Sequence, residues 1–313
     1  MPTGNCSKPT ASNNRNSPLP WVTVRERLRR ILVTVKLDDL EAFSAAIHGA
    51  DHEVDLFGAA MLIARIGDPD ADVHETASRL DVMAEEARVY AGARADDHAL
   101  AHAIEYQLFS VCGFRGDSEG YTDPANSYLD QVVRRRLGIP ISLSLVYMEV
   151  AQRIGLQCDG VGFPGHFIVR YGGAEEPTYV DPFQQGARID RQELLARLRV
   201  HQIGSASPES FLAAITRRQI LQRMLNNLHV VFRERRELQD WLSVVELQHR
   251  LEPWNAMLVG ERGMLRYRLG DIEGAMSDLE AYVSASERAE ANPGAIRLLD
   301  QLRLRHGGMG ETR

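Results

Sequence analysis

Residues 126–171, NSYLDQVVRRRLGIPISLSLVYMEVAQRIGLQCDGVGFPGHFIVRY, followed at 179–186 by YVDPFQQG, decide how the chain is read. The segment from Pro140 opens on a residue suited to the first turn of a helix and is apolar on nearly every side, through Ile141, Leu143, Leu145, Val146 and Met148. Such a helix is buried centrally. Its N-terminus is then an interior site of positive dipole character, able to hold an anion or lower a nucleophile's pKa. The polar side chains placed there are Ser142 and Ser144. Just upstream, Asp123 and Pro124 read as cap and first-turn proline of a helix with Leu129, Val132, Val133 and Leu137 on its apolar side and Gly138 as its stop.

Downstream, HFIVRY (166–171) and TYVD (178–181) alternate as short strands, and GGAEEP between them makes a hairpin. Centring the turn between Gly173 and Ala174 sets His166 directly opposite Asp181. Opposed Cβ atoms lie about 4.5 to 5.5 Å apart, close enough for the carboxylate to orient and charge-stabilise the imidazole. A register slip of two would leave a diagonal contact. The same alternation sends Phe167, Val169 and Tyr171, with Val180, toward a core.

Working outward, residues 21–113 carry a helical period and read as an acidic helical domain. Val24, Leu28, Ile31, Leu32 and Val35 form one stripe, Val73, Ala77, Leu80, Ala84 and Ala87 a second, and Leu100, Ile104, Leu108 and Val111 a third. Asp55 and Gly67 bracket a further apolar helix as cap and stop. Residues 1–20 have no apolar run that would make a signal peptide and read as a disordered tail. The span 114–205, dense in glycine and proline, reads as an α+β core, and 206–313 returns to helices. There residues 222–288 show a period of 34. Gly263, Gly270, Asp271, Ala275 and Leu279 fall on the small-residue, turn and packing positions of a tetratricopeptide repeat. His229, Arg236, Glu237, Trp241 and Val245 hold those sites in a degenerate earlier copy, which Pro253 closes. Two copies cannot bury their own faces, so they must pack on the core and on a capping helix near 294–305. They are either a concave peptide-binding surface or a helical buttress.

The formal charge of −7 is uneven, with +6 over residues 1–36, −11 over 37–86 and −2 over the rest. The acidic stretch is a solvated face or a dock for a basic partner. Of the 36 basic residues only Lys8 and Lys36 are lysines, a skew that most simply reflects GC-rich codon usage. Cys6, Cys112 and Cys158 lack metal-ligand spacing and read as free thiols of a cytoplasmic protein. No apolar run approaches the roughly 18 residues of a membrane helix, so no membrane partner is expected. Asp68, Asp70 and Asp72 have calcium-loop spacing, but Val73 and Arg79 stand where glycine and glutamate belong, which leaves a capped loop entering a helix. Arg134, Arg135 and Arg136 diverge by about 100° per residue on a helix and make no phosphate clamp, so no nucleic-acid partner is expected. With no glycine-rich phosphate loop, HExxH or CxxC pair, neither cofactor nor metal is expected.

The GIPISLS, PGHF and VDPF blocks, in this order and spacing, resemble the SirB-type family of bacterial transglutaminase-like proteins with C-terminal tetratricopeptide repeats. The likeness is close over 109–188 and loose over the chain after residue 50, and the stretch is also similar to a region of a eukaryotic F-box protein. It implies an α+β, mostly helical fold whose transglutaminase/papain-like core holds a small antiparallel sheet. In that superfamily a cysteine begins the central helix, with a histidine on one strand and an aspartate on the next. His166 and Asp181 match the last two. The cysteine has no counterpart, because the Ile139 to Ser142 stretch offers Pro140 and Ser142 instead. Cys158 lies beyond the far end of the helix, about 20 Å or more away. A serine, unlike a partly ionised thiol, needs a placed base to attack at all. The expectation is therefore a pseudoenzyme or scaffold that binds a protein or peptide through the core cleft or the repeats, with His166 and Asp181 retained. The rival is a hydrolase or acyltransferase with Ser142 as nucleophile, His166 as base and Asp181 orienting it. A third reading makes the repeats the functional part and the core their support.

Overall fold

The computed structural model describes residues 36–173, 176–200, 207–285 and 292–307. The tail at 1–20 and the stripe from Val24 to Val35 lie outside the described residues. Four helices come first: α1 (Leu37–Ala46), α2 (Leu56–Ala64), α3 (Val73–Ala91) and α4 (Asp97–Glu105). Asp55, Asp72 and Asp96 cap the last three, each accepting backbone N–H groups of the first turn. Asp72, the last of the calcium-spaced aspartates, thus enters a helix as a cap. Helix α4 runs on into a π-helical turn, Tyr106–Val111. The extra residue in that turn rotates the apolar stripe, so Ile104 and Leu108 stay buried while Val111, expected inside, is 53% exposed.

The helix expected to open at Asp123 opens later. Asp123 caps a short 3-10 turn, Pro124–Asn126, and α5 spans Leu129–Arg135. It ends at Arg136, left-handed at φ 59°, and not at Gly138. Pro140 holds the preceding Ile139 extended, and the extended stretch finds a partner: Leu137–Gly138 (β2) pairs in parallel with Arg115–Gly116 (β1). Helix α6 (Pro140–Ile154) follows, with 12 of its 15 residues buried.

Strands β3 (Cys158–Val161), β4 (Ile168–Tyr171), β5 (Thr178–Asp181) and β6 (Ala187–Ile189) form one antiparallel sheet in chain order. The β4–β5 ladder corrects the expected register by two: Val169 pairs with Val180, Arg170 with Tyr179 and Tyr171 with Thr178. Proline explains the shift. In the expected register Pro177 would sit opposite Arg170 without an N–H to give the ladder, so pairing begins at Thr178 instead. A slip of two keeps each side chain on its face, so Phe167, Val169, Tyr171 and Val180 still enter the main core. Val161, Ile168 and Tyr179 pack with Leu194 and Leu198 of α7 (Arg191–Val200) in a second cluster.

The C-terminal helices are α8 (Arg217–Arg235), α9 (Leu238–Leu251), α10 (Ala256–Leu269), α11 (Ile272–Ala285) and α12 (Pro293–Gly307). Arg236 and Gly270, 34 residues apart, end α8 and α10 in the same left-handed conformation. One face of α8 belongs to the main core through Ile220, Leu221, Met224, Leu225, Leu228 and Phe232. That core is continuous from Leu40 to Leu251, across both divisions expected at 113/114 and 205/206. The far end of the repeat array has its own cluster, where Leu279 and Tyr282 meet Leu298, Leu299 and Leu302 of α12.

Helices α10 and α11 approach over Gly263, where an added Cβ would lie 2.9 Å from Leu279 Cγ and 3.1 Å from Asp278 Cβ. Gly263→Val should cost about 1 to 3 kcal/mol in urea unfolding, and an unchanged midpoint would contradict the close approach. In the degenerate copy His229 takes this position and joins α8 to its neighbours, with Nδ1 2.8 Å from Gln248 Oε1 and Nε2 3.1 Å from Glu261 Oε1. Burial pushes the His229 pKa down, but hydrogen bonds with Glu261 and Gln248, helped by the Glu261 charge, outweigh it and leave the value raised above 6.5. A raised folded-state value contributes stability that is complete below the unfolded value and lost as pH rises through the folded one. Unfolding free energy should therefore fall as pH climbs above 6.5, and His229→Gln should flatten that decline; a variant with the wild-type slope would count against the assignment.

Candidate functional site

Helix α6 starts inside the protein, and its first polar groups are spoken for. The Ser142 side chain is wholly buried. Its Oγ accepts from the Ile139 N–H at 3.1 Å and donates to the Asn126 carbonyl at 2.6 Å. Ser144 is equally buried, its hydroxyl 3.5 Å from the Phe167 carbonyl. Among the described residues no hydrogen bond joins Ser142 to His166. Of the three residues expected at the site, only His166 and Asp181 are in direct contact.

That contact is made despite the shifted ladder. His166 lies before β4, in a turn closed by its own N–H to the Phe163 carbonyl at 3.0 Å. From there Nε2 reaches Asp181 Oδ2 at 2.8 Å. Asp181 Oδ1 accepts from the N–H groups of Phe183 and Gln184 at 3.0 and 3.3 Å, capping the 3-10 turn Pro182–Gln184. The carboxylate side chain is 3% exposed and the imidazole 23%. With Nε2 engaged, Nδ1 is the ring nitrogen left for another partner, and it makes no hydrogen bond among the described residues.

Residues that sequence reasoning missed surround this pair. The Phe183 ring stands edge-on to His166 at 6.0 Å, and Tyr121 stands edge-on to Phe183 at 6.4 Å. Gly116 makes room beneath, since a Cβ there would fall 2.5 Å from the Phe183 ring. Arg223 of α8 donates through Nη2 to the carbonyls of Phe163 (3.2 Å) and His166 (3.0 Å), with its guanidinium 5.7 Å from the centre of the Phe167 ring. Burial pushes the Tyr121 hydroxyl pKa up, and the Arg223 charge opposes that rise. Phe183 could have been noticed within VDPF. Arg223 had one faint signal, a place one repeat period before Met257, and Tyr121 had none.

Cys112 and Cys158 are free, burial pushes both of their pKa values up, and neither lies at the start of α6. A cleft of about 1520 Å³ opens at the other end of that helix, lined by Glu149, Arg153, Cys158, Arg170 and Arg217 among others. Arg153 bonds Glu149 at 2.6 Å and Asp81 at 2.8 Å, Arg170 lies 3.4 Å from Asp159, and Arg217 donates to the His52 and Val54 carbonyls. In the arginine run, Arg134 and Arg135 are likewise paired, with Asp130 and Asp123.

A family model described as the transglutaminase-like superfamily matches residues 74–226, and one described as the tetratricopeptide repeat matches 228–303. A UPF0162 protein of Xylella fastidiosa (strain Temecula1) is 36% identical over 241 residues, which are 74% of this chain and 84% of that protein. The chain belongs to the UPF0162 family. A second member, from Vibrio cholerae, is 25% identical over 252 residues, 80% of this chain and 92% of its own. Mouse F-box only protein 21 is 35% identical over 134 residues, but these are 40% of this chain and 21% of the mouse protein. The UPF0162 chain thus combines a transglutaminase-like domain with tetratricopeptide repeats, a repeat type that commonly mediates protein interactions. No helix among its described residues is long and apolar enough to cross a membrane.

Ser142→Ala would leave the Ile139 N–H and the Asn126 carbonyl unpaired in the interior. The expected cost is about 1 to 2 kcal/mol of unfolding free energy, read from urea melts. A loss below about 0.5 kcal/mol, the range of ordinary surface changes, would show that the hydroxyl is not the cap described.

Proposed function

We propose that this protein is a non-catalytic, transglutaminase-like scaffold of the SirB type that binds a protein or peptide partner, with His166 and Asp181 maintaining a polar binding surface. One observation carries the reading: the hydroxyl at the start of α6 is buried and bonded as a helix cap, where the superfamily has its nucleophile. Asp181 has a sufficient structural reason to be present, since it caps the Pro182–Gln184 turn as well as orienting His166. The two cysteines among the described residues are free, which suits a reducing cytoplasmic setting.

The hydrolase alternative draws support from the 2.8 Å His166–Asp181 pair, an arrangement that could orient a base. It also needs a hydroxyl that the base can reach, and Ser142 donates elsewhere. The test is direct. Purified protein offered ester, amide and glutamine acyl-donor substrates should turn over none of them above background. Turnover that is abolished by His166→Ala would overturn the scaffold reading, and its further loss in Ser142→Ala would assign the nucleophile. Point variants are required for mapping, because removing the chain beyond Pro208 would strip α8 from the main core.

A further inference from the structure

We propose that Arg223, His166 and Tyr121 form a subsite for a carboxylate, carried by an acidic side chain or the C-terminus of a bound peptide. This rests on the scaffold reading and names the group by which the partner is anchored. Arg223 is half-buried, yet no carboxylate among the described residues lies within ion-pair distance of it. Half-buried Arg153, Arg262 and Arg266 each hold one, at 2.6 to 2.8 Å, whereas Arg217, like Arg223, donates to backbone carbonyls, those of His52 and Val54. Withdrawing a guanidinium from water without a counter-charge is unfavourable. Asp181, which bonds His166 and the Phe183 and Gln184 N–H groups, makes no ion pair with Arg223.

The cation is also aimed. Its bond to the His166 carbonyl places it on the same turn as the imidazole, whose Nδ1 has no described partner. Tyr121, 46% exposed, stands edge-on to Phe183 and is near enough to feel the Arg223 charge. One guanidinium supplies a single fixed positive charge, which balances a carboxylate monoanion and leaves a phosphate dianion only half compensated. The repeat register indicates a peptide as its bearer. Arg223 and the 43%-exposed Val230 occupy on α8 the positions that Met257 and Met264 occupy on α10. The last two, with Glu261 and Arg268, line a cavity of about 270 Å³. A chain anchored at Arg223 can therefore continue along one face of the repeats.

Full-length protein with isotope-labelled histidine and arginine, assigned through the variants, would be titrated at fixed pH and ionic strength with two probes. N-acetylglutamine offers only an α-carboxylate, and N-acetylglutamate α-amide only a side-chain one. A saturable shift of the His166 ring and Arg223 Nε–H signals with either probe, beyond that caused by sodium chloride, is expected. The probe that binds identifies the source. Arg223→Gln should weaken binding at least about tenfold, and Arg223→Lys should weaken it less. If Arg223→Gln does not fold, the wild-type Arg223 signal and Tyr121→Phe decide the matter. No saturable response to either probe, or equal binding by Arg223→Gln, overturns the subsite. A flat titration in a protein without turnover removes the subsite and leaves the scaffold reading intact, whereas His166-dependent turnover removes the scaffold reading first.

Discussion

Helix α6 must be enclosed on every side, and the architecture is the set of elements that enclose it. Each of its fully buried aliphatic side chains contributes about 1.5 to 3 kcal/mol, while a single cap contributes about 1. Packing therefore holds the helix, and the cap acts more narrowly, on N-terminal N–H groups that open into the interior and need partners there. Pro140 removes one such N–H, and Ser142 ties the Ile139 N–H to the Asn126 carbonyl. Asn126 is fixed in turn by Asp117 and Gly120. The irregular stretch before the helix, short parallel pair included, brings the chain to this buried end with the Ile139 N–H and the Asn126 carbonyl paired.

The same demand separates two features that travel together in transglutaminase-like enzymes. A nucleophile must keep its reactive atom free, and a buried cap cannot. Asp181 satisfies local backbone needs whether or not any reaction occurs, and His166 then needs only to satisfy Asp181. A His–Asp pair in this setting is consistent with selection for folding alone, so its presence is weak evidence of catalysis. Arg223 also serves the fold, through the Phe163 and His166 carbonyls, but its charge is left without a carboxylate among the described residues.

What could be read from sequence follows the range of the forces involved. Caps at Asp55 and Asp72, the proline start of α6 and the 34-residue repeat register are local, and local chemistry decides them. The His166–Asp181 contact is legible because side-chain alternation survives a slip of two, although the slip itself turns on Pro177, whose missing N–H matters only once two strands meet. Val111 needs knowledge of a π-helical turn, and the end of α5 at Arg136 needs the strand pairing beyond it. Arg223 and Tyr121 meet the site only through tertiary packing, which no spacing encodes. The continuity of the core across 113/114 and 205/206 is hidden for the same reason.

Helix α8 is at once the first helix of the repeat array and a wall of the main core. In an open array either end can fray, since each unit leans only on its neighbours. Here one end is clamped, so opening proceeds in a single direction, from α12 inward. Amide hydrogens of α8 are expected to exchange through global unfolding, and those of α11 and α12 through partial opening. The array therefore acts as an arm with a fixed shoulder, compliant at its tip and rigid beside His166.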